Sequence, residues 1–400
     1  MLRGTRTTII GLIGATLISS SAIAGGYSRG SANLDPLFDT GNSVTTSAAV
    51  VAPNRSFDTI NGTPAGAFGP SPVGTYADEK FSETYYFGAA TAAIGLTEDL
   101  RCAGTYSQPF GANADYGWSK LVSGIGTTTS SELSSHEFGA TCAYGMDAGK
   151  GRFHFVGGVF YESINYDEAR AFGYDSFATG SQGADISMSD GGVGYRAGVA
   201  YTIPEIALKA SLIYRSEVSH TLTGLVRSVS IGGPVSSFAD ASLPQSVKLS
   251  VQSGIAPGWL AFGSVEWTDW SVLQQVQVYS DPGTLAVGPV ALPGVTVDAF
   301  FRDGWTVSGG VGHAFNDKFS GSLSLTWDRG VSPGQYVSGF SDTWTVAVGG
   351  AYNPSEKLSI RGGVSFSSLQ AITYTELDAD VVSYDTDYAI GGGLSLVAKF

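Results

Sequence analysis

From residue 43 onward the chain repeats with a period of two, and this constrains it more than anything else it contains. Residues 319–328 read FSGSLSLTWD: Phe319, Gly321, Leu323, Leu325 and Trp327 share one face, and Ser320, Ser322, Ser324, Thr326 and Asp328 the other. Residues 357–366 put Leu358, Ile360, Val364 and Phe366 opposite Lys357, Ser359, Arg361 and Ser365, and 343–352 align Trp344, Val346, Val348 and Tyr352. Side chains alternate across a β-strand, so each stretch is a strand with one apolar and one polar face. Composition agrees: 55 glycines, 12% aromatic residues and only 14% charged residues suit strands.

A soluble sandwich also alternates. Two features separate the cases. Many of these stretches run ten residues or more, the length a tilted strand needs to cross a bilayer, whereas globular strands run about five or six. Aromatic residues also gather at strand ends (Trp259 with Trp267, Trp327, Trp344 with Tyr352, and Tyr388), as in the girdles of transmembrane barrels.

Fourteen strands are expected, at 43–52, 82–95, 97–108, 132–146, 151–166, 193–203, 206–222, 244–256, 258–278, 303–315, 318–328, 342–353, 356–371 and 385–400. Their connections alternate. Short ones fall near Leu96, Asp147–Lys150, Pro204–Glu205, Pro257, Asn316–Asp317 and Pro354–Ser355. Long ones span 53–81, 109–131, 167–192, 223–243, 279–302, 329–341 and 372–384. An even strand number with long outer and short periplasmic connections is the rule for bacterial outer-membrane barrels, and its parity puts both termini in the periplasm. The expected fold is therefore all-β: a 14-stranded antiparallel transmembrane barrel over 43–400, multi-pass in the bacterial outer membrane.

The start of the chain reads as a secretion signal over 1–24. Arg3 and Arg6 precede the apolar stretch 9–18, and Ala22-Ile23-Ala24 supplies an A-x-A site before Gly25. About ten apolar residues are too few to span ~30 Å of hydrocarbon as a helix. No later segment has 18 continuous apolar residues. Without Arg3 and Arg6, 19 of the 21 basic residues remain against 35 acids. That negative balance argues against nucleic acid as a partner.

Three stretches resemble one family, the FadL-type outer-membrane carriers of long-chain fatty acids and aromatic hydrocarbons. They are Tyr214-Arg215-Ser216-Glu217-Val218 followed by Gly224; Leu243-Pro244 with Trp259 and Trp267-Thr268-Asp269-Trp270-Ser271; and Phe301-Arg302-Asp303-Gly304-Trp305 with Asp328 and Pro333. The similarity covers about 193–400 well and the first half weakly. It implies a fourteen-stranded barrel plugged by an N-terminal hatch, an apolar pocket for the cargo, and sideways release through a gap in the wall. The family's Asn-Pro-Ala hatch motif is not matched; Asn33-Leu34-Asp35-Pro36 is nearest, and only 25–42 precede the first strand as a short hatch.

An apolar cargo with a carboxylate head needs an apolar pocket with a cation or donor at one end. The inward faces offer Arg215, Arg361, Lys357 and Arg152, with Arg215 first because it lies in the resembling motif. Glu217 is two residues on and is an alternative partner for it. On strand 151–166, His154, Val156 and Phe160 lie opposite Phe153, Phe155, Val159 and Tyr161, so the inner wall around His154 and Phe160 is expected to be apolar, either to hold a hydrophobic cargo or to pack against the hatch. Phe172, Tyr174, Phe177 and Met188 in 167–192 are candidates for gathering a greasy ligand. Cys102 and Cys142 lie in strands joined by one connection whose centre is near 122, where opposed residues can form a disulfide. The alternative is two lipid-facing thiols. The final strand, with Tyr388, Ile390, Leu394, Leu396 and Ala398 at even spacing before Phe400, resembles the signal read by barrel-assembly machinery.

The histidines His136, His154, His220 and His313 show no metal-ligand spacing, and no nucleotide-binding or nucleophile motif occurs. No enzyme, cofactor or metal is expected. The function expected is passive outer-membrane transport of hydrophobic molecules, long-chain fatty acids first, with release sideways or to the periplasm. The expected partners are the hydrophobic ligand, outer-membrane lipid and the assembly machinery. A general diffusion porin for small solutes is the alternative.

Overall fold

The structure, a computed structural model, describes residues 26–61, 75–76, 79–116, 128–170, 184–228, 233–281, 291–332, 340–376 and 380–400. The expected signal (1–24) and Phe172, Tyr174 and Phe177 lie outside the described residues.

Fourteen wall strands close into one antiparallel barrel. They are β1 (Ser43–Asn54), β2 (Tyr85–Gly95), β3 (Leu100–Ser107 and Gly111–Asp115), β4 (Thr128–Ala148), β5 (Gly151–Arg170), β6 (Ala184–Ile203), β7 (Leu208–Arg215 and Val218–Ser228), β8 (Gly233–Leu243 and Ser246–Ala256), β9 (Trp259–Thr268 and Gln275–Ser280), β10 (Ala291–Asp298 and Gly304–Ala314), β11 (Phe319–Asp328), β12 (Thr343–Ser355), β13 (Leu358–Leu369) and β14 (Asp387–Lys399). Closure is made by β14 on β1, with Ser43 opposite Lys399 and Asn54 opposite Tyr388. Closure satisfies the edge groups that an open sheet would strand in lipid.

The alternation read from the sequence sorts the faces. Leu323, Leu325, Val346, Val348, Val364, Phe366, Leu394 and Leu396 point outward and are exposed. Two aromatic pairs bracket this band on β11 and β12. Phe319 stacks on Tyr352 at 4.9 Å and Trp327 meets Trp344 at 6.5 Å between ring centres. The pairs lie eight residues apart, roughly 26 Å along a strand, which is close to the apolar band of an outer membrane once tilt is allowed for.

Several connections expected to be long loops are strand instead. β5 runs on to Arg170 and β6 begins at Ala184, β7 reaches Ser228 and β8 begins at Gly233, and Ala291–Asp298 belongs to β10. These extensions lie beyond the apolar band, where the outward face turns polar and the alternation loses its contrast. Met188, expected in a loop, is a buried residue of β6.

Among the described residues five wall strands are interrupted: β3 at Gln108–Phe110, β7 at Ser216–Glu217, β8 at Pro244–Gln245, β9 at a short 3-10 turn Trp270–Val272, and β10 at Ala299–Asp303. A proline or a tight turn supplies the break in several of them, because proline cannot donate to a ladder. All five lie between β3 and β10, and the breaks in β3, β9 and β10 place Phe110, Trp270 and Phe301 in the buried interior.

Candidate functional site

The broken strands enclose an apolar interior, its side chains packed against one another as a single buried cluster. Phe110, Leu133, Ile164, Ile186, Met188, Leu222, Val226, Leu243, Trp270, Val278, Phe301 and Val331 form one buried cluster. Trp270, carried on the turn within β9, is fully buried at its centre. Tyr27 of the N-terminal segment enters this nest, with ring centres 5.8 Å from Trp270, 5.4 Å from Phe301 and 5.5 Å from Phe340. Gly26 permits the entry. Its φ is +68°, and a Cβ there would stand 2.8 Å from the Trp270 ring.

The same segment closes part of the wall. β2 pairs with β3 only from Ala90–Gly95 against Arg101–Tyr106. Above that ladder the break in β3 bonds to the N-terminal segment: Arg29 N–H to the Pro109 carbonyl at 2.8 Å, Gly30 N–H to the Gln108 carbonyl at 3.1 Å, and Gly111 N–H to the Tyr27 carbonyl at 2.7 Å. Residues 27–30 thus bridge to β3, with Ser28 opposite Phe110, where the described ladder between β2 and β3 ends.

Below Phe110 the floor of this cluster is a buried charge quartet. Glu137 (β4), Glu162 (β5), Arg196 (β6) and Arg215 (β7) project inward from four consecutive strands. Glu137 stands opposite Glu162 in the ladder, and Arg196 opposite Arg215. Two like pairs side by side would repel, but the guanidiniums reach across. Arg215 Nε donates to Glu137 at 3.2 Å and Arg215 Nη2 to Glu162 at 2.8 Å, and Arg196 pairs with Glu137. The Ser107 hydroxyl, at the break in β3, donates to Glu137 at 3.2 Å. Phe160 lies among them, its ring centre 4.6 Å from the Arg196 guanidinium carbon and 4.5 Å from that of Arg215. Gly194 makes room for this ring, since a Cβ there would meet it at 2.2 Å. Arg215 also lies 5.1 Å from the Phe110 ring centre, joining quartet to cluster.

Of the residues nominated from sequence, the structure brings together Arg215 and Phe160. Arg215 takes Glu137 and Glu162 as its carboxylate partners in place of Glu217. The reason is the strand break after Arg215, which removes the same-face relation of residues 215 and 217. His154 lies lower, with Nε2 3.0 Å from the Thr202 hydroxyl and its ring 5.4 Å from Phe38. Arg152 is at the short-turn end, paired with Asp99 and, at 3.7 Å, with Asp147. Arg361 sits half-buried in the lower lumen, where Asp35 and Asp39 act on it electrostatically. The expected inward orientation of Lys357 is not found: it is exposed in the turn between β12 and β13, where alternation does not apply.

Cys102 and Cys142 stand opposite one another in the β3–β4 ladder and are joined as a disulfide. Phe400 is exposed beyond β14, its N–H bonded to the Asn42 carbonyl.

Sequence reasoning missed Glu137, Glu162 and Arg196, and the nest of Tyr27, Phe110 and Trp270. Glu162 shares the inward face of Phe160 two residues away, and that was a usable signal. The other two charges required the register between strands.

A fourteen-stranded closed antiparallel barrel with an apolar outer band and a buried apolar cluster inside it defines a class, the outer-membrane β-barrels. The chain belongs to the family described as outer membrane protein transport protein (OMPP1/FadL/TodX), whose sequence profile matches residues 97–394. Members of this family are transport proteins of the outer membrane, not enzymes. The long-chain fatty acid transport protein of Escherichia coli O6:H1 (strain CFT073) is 21% identical over 215 residues, covering 49% of this chain and 46% of that protein. The Salmonella typhi protein of the same name is 22% identical over 211 residues, 48% of this chain and 46% of its own length. The chain therefore matches about half the length of these curated relatives. Among solved structures, a Pseudomonas aeruginosa FadL homologue superposes with a TM-score of 0.71 at 13% identity, covering 92% of this chain and 91% of that one. The P. putida toluene transporter TodX gives 0.60 at 14% identity, covering 94% and 97%. The family overturns the general-porin alternative.

Proposed function

We propose that this protein carries hydrophobic molecules across the outer membrane by passive diffusion, with long-chain fatty acids the first cargo to test. The observation that carries this reading is the buried cluster around Trp270, aliphatic and aromatic side chains gathered inside the barrel. Such a lining favours a greasy ligand and not a water-borne solute. The fatty acid transport proteins among its relatives support the cargo. A second reading, aromatic hydrocarbons, draws on the aromatic nest of Tyr27, Phe110, Trp270, Phe301 and Phe340 and on the likeness to a toluene transporter.

Residues 25–42 serve in this reading as the hatch, and both chain termini face the periplasm. The separation of β2 from β3 above Tyr106, covered by residues 27–30, is the place proposed for sideways release. The test is uptake of labelled oleate by cells lacking their own carrier, with and without this protein, once barrel assembly is confirmed by heat-modifiable gel mobility. Saturable uptake that small sugars do not share supports fatty acids. An assembled barrel that takes up toluene and no oleate would move the cargo to aromatic hydrocarbons, and uptake of neither would sink the carrier reading.

A further inference from the structure

The quartet at the floor of the apolar cluster is balanced in charge but not in hydrogen bonds. Two of its polar atoms are buried with no hydrogen-bond partner among the described residues: Glu162 Oε1, an acceptor, and Arg196 Nη1, a donor. Their residues are 0% and 5% exposed. Buried polar atoms left unpaired are costly, so a site that keeps them is suited to a group that satisfies them.

The chemistry of that group follows from the atoms. An ionised carboxylate would add a third negative charge beside Glu137 and Glu162, and it has no proton to give to Glu162 Oε1. A hydrocarbon would satisfy neither atom. A neutral O–H donates to a carboxylate oxygen such as Glu162 Oε1, a bond that neither an ether nor a hydrocarbon can make. We infer that the floor of the cluster is a subsite for a neutral hydroxyl head group on an otherwise apolar cargo, either an alcohol or phenol or a carboxylic acid in its undissociated form. The inference rests on the carrier reading and sharpens it by specifying the head group. The orientation is set by the fold. Ile164 lies two residues beyond Glu162 on the inward face of β5, and Phe110 lies over Arg215, so a head group at the quartet leaves its tail among the apolar side chains.

Glu162→Gln gives this a sharp form. Arg215 Nη2 donates to Glu162 Oε2 at 2.8 Å, which holds the carbonyl oxygen of a glutamine at that position. The amide NH2 then replaces Oε1, and an acceptor becomes a donor.

The experiment is equilibrium binding to the purified, assembled barrel of a set sharing one alkyl tail: a 4-alkylphenol, its methyl ether, the alkylbenzene, a 1-alkanol, and a fatty acid at pH 5 and pH 8 with the alkanol as pH control. The phenol and alkanol should bind at least about tenfold more tightly than the ether and the hydrocarbon, since a hydrogen bond to a buried charged group discriminates by that order. Measured against the alkanol at the same pH, the fatty acid should gain at pH 5 over pH 8; a gain by phenol and alkanol over ether and hydrocarbon without it would assign the subsite to alcohols and phenols. In Glu162→Gln the ether should gain on the phenol. Phenol, ether and hydrocarbon binding within about twofold of one another, or a fatty acid preferring pH 8, would overturn the subsite while leaving the carrier reading intact. No binding by any member would sink both. If Glu162→Gln fails to assemble, the series on the unaltered protein still decides.

Discussion

The lumen wall from β3 to β10 and the wall from β11 to β14 share an outward alternation, yet their insides differ. The first is broken in five places and presents Trp270, Phe301, Leu222, Met188 and four buried charges. The second carries no break within its described wall segments and presents small polar groups such as Ser322, Ser324, Thr326, Thr343, Thr345, Ser365 and Ser367, all buried. The outside is the same because the same lipid selects it. The inside is free to differ, and a packed interior needs side chains that reach further than a straight ladder allows. Breaking a strand supplies that reach, and the ladder bonds it loses are replaced locally. Ser216 shows how: its N–H donates to the Tyr195 carbonyl at 2.9 Å, and its hydroxyl accepts from Tyr195 N–H at 2.9 Å.

If this contrast is real, substitutions on the two sides should differ in size. The largest effects belong to the broken half. Arg215→Met leaves buried Glu162 without its ion-pair partner and Glu137 with Arg196 alone, and should cost about 3–5 kcal/mol, read as a drop in the urea midpoint of the barrel in detergent. Trp270→Ala removes a fully buried indole and should cost a similar ~3–5 kcal/mol, together with loss of uptake of whichever cargo is carried. A midpoint within error of the unaltered protein in both cases would dissolve the contrast.

The double change Cys102→Ser with Cys142→Ser should cost about 2–4 kcal/mol. The bridge itself is checked first by thiol titration without reductant, where two free thiols would remove it. Gly194→Ala drives a methyl into the Phe160 ring and should cost about 1–3 kcal/mol; Phe160→Leu in the same background should recover part of the loss. The smallest effect belongs to the regular half. Ser367→Ala forfeits one hydrogen bond, 2.8 Å long, to Thr345 and should cost about 0.5–1.5 kcal/mol, with uptake unchanged.

Much of the fold is legible in the sequence. The wall strands on either side of the short turns were legible because a lipid-facing strand must alternate, and residues 319–328 and 343–352 do so plainly. The strand extensions at 167–170, 184–192 and 223–228 were not, because above the membrane both faces meet polar surroundings and the contrast fades. The site was legible only in part. Arg215 and Phe160 were visible through the resembling motif and the doubled apolar face of β5. Lys357 was misplaced because alternation was extended one residue too far, into a turn.

What the sequence determined by itself was therefore the wall: fourteen crossings, their order and which face meets lipid. These follow from a local rule, the two-residue period of a strand in a solvent that tolerates no bare backbone. What only the tertiary structure decided was the interior. That Glu137 meets Arg196 and Arg215, that Tyr27 reaches Trp270, and that residues 27–30 cover the break in β3 all depend on the register between strands and on closure of the barrel. Such contacts join residues up to hundreds of positions apart, and nothing in a local period encodes which of them will meet.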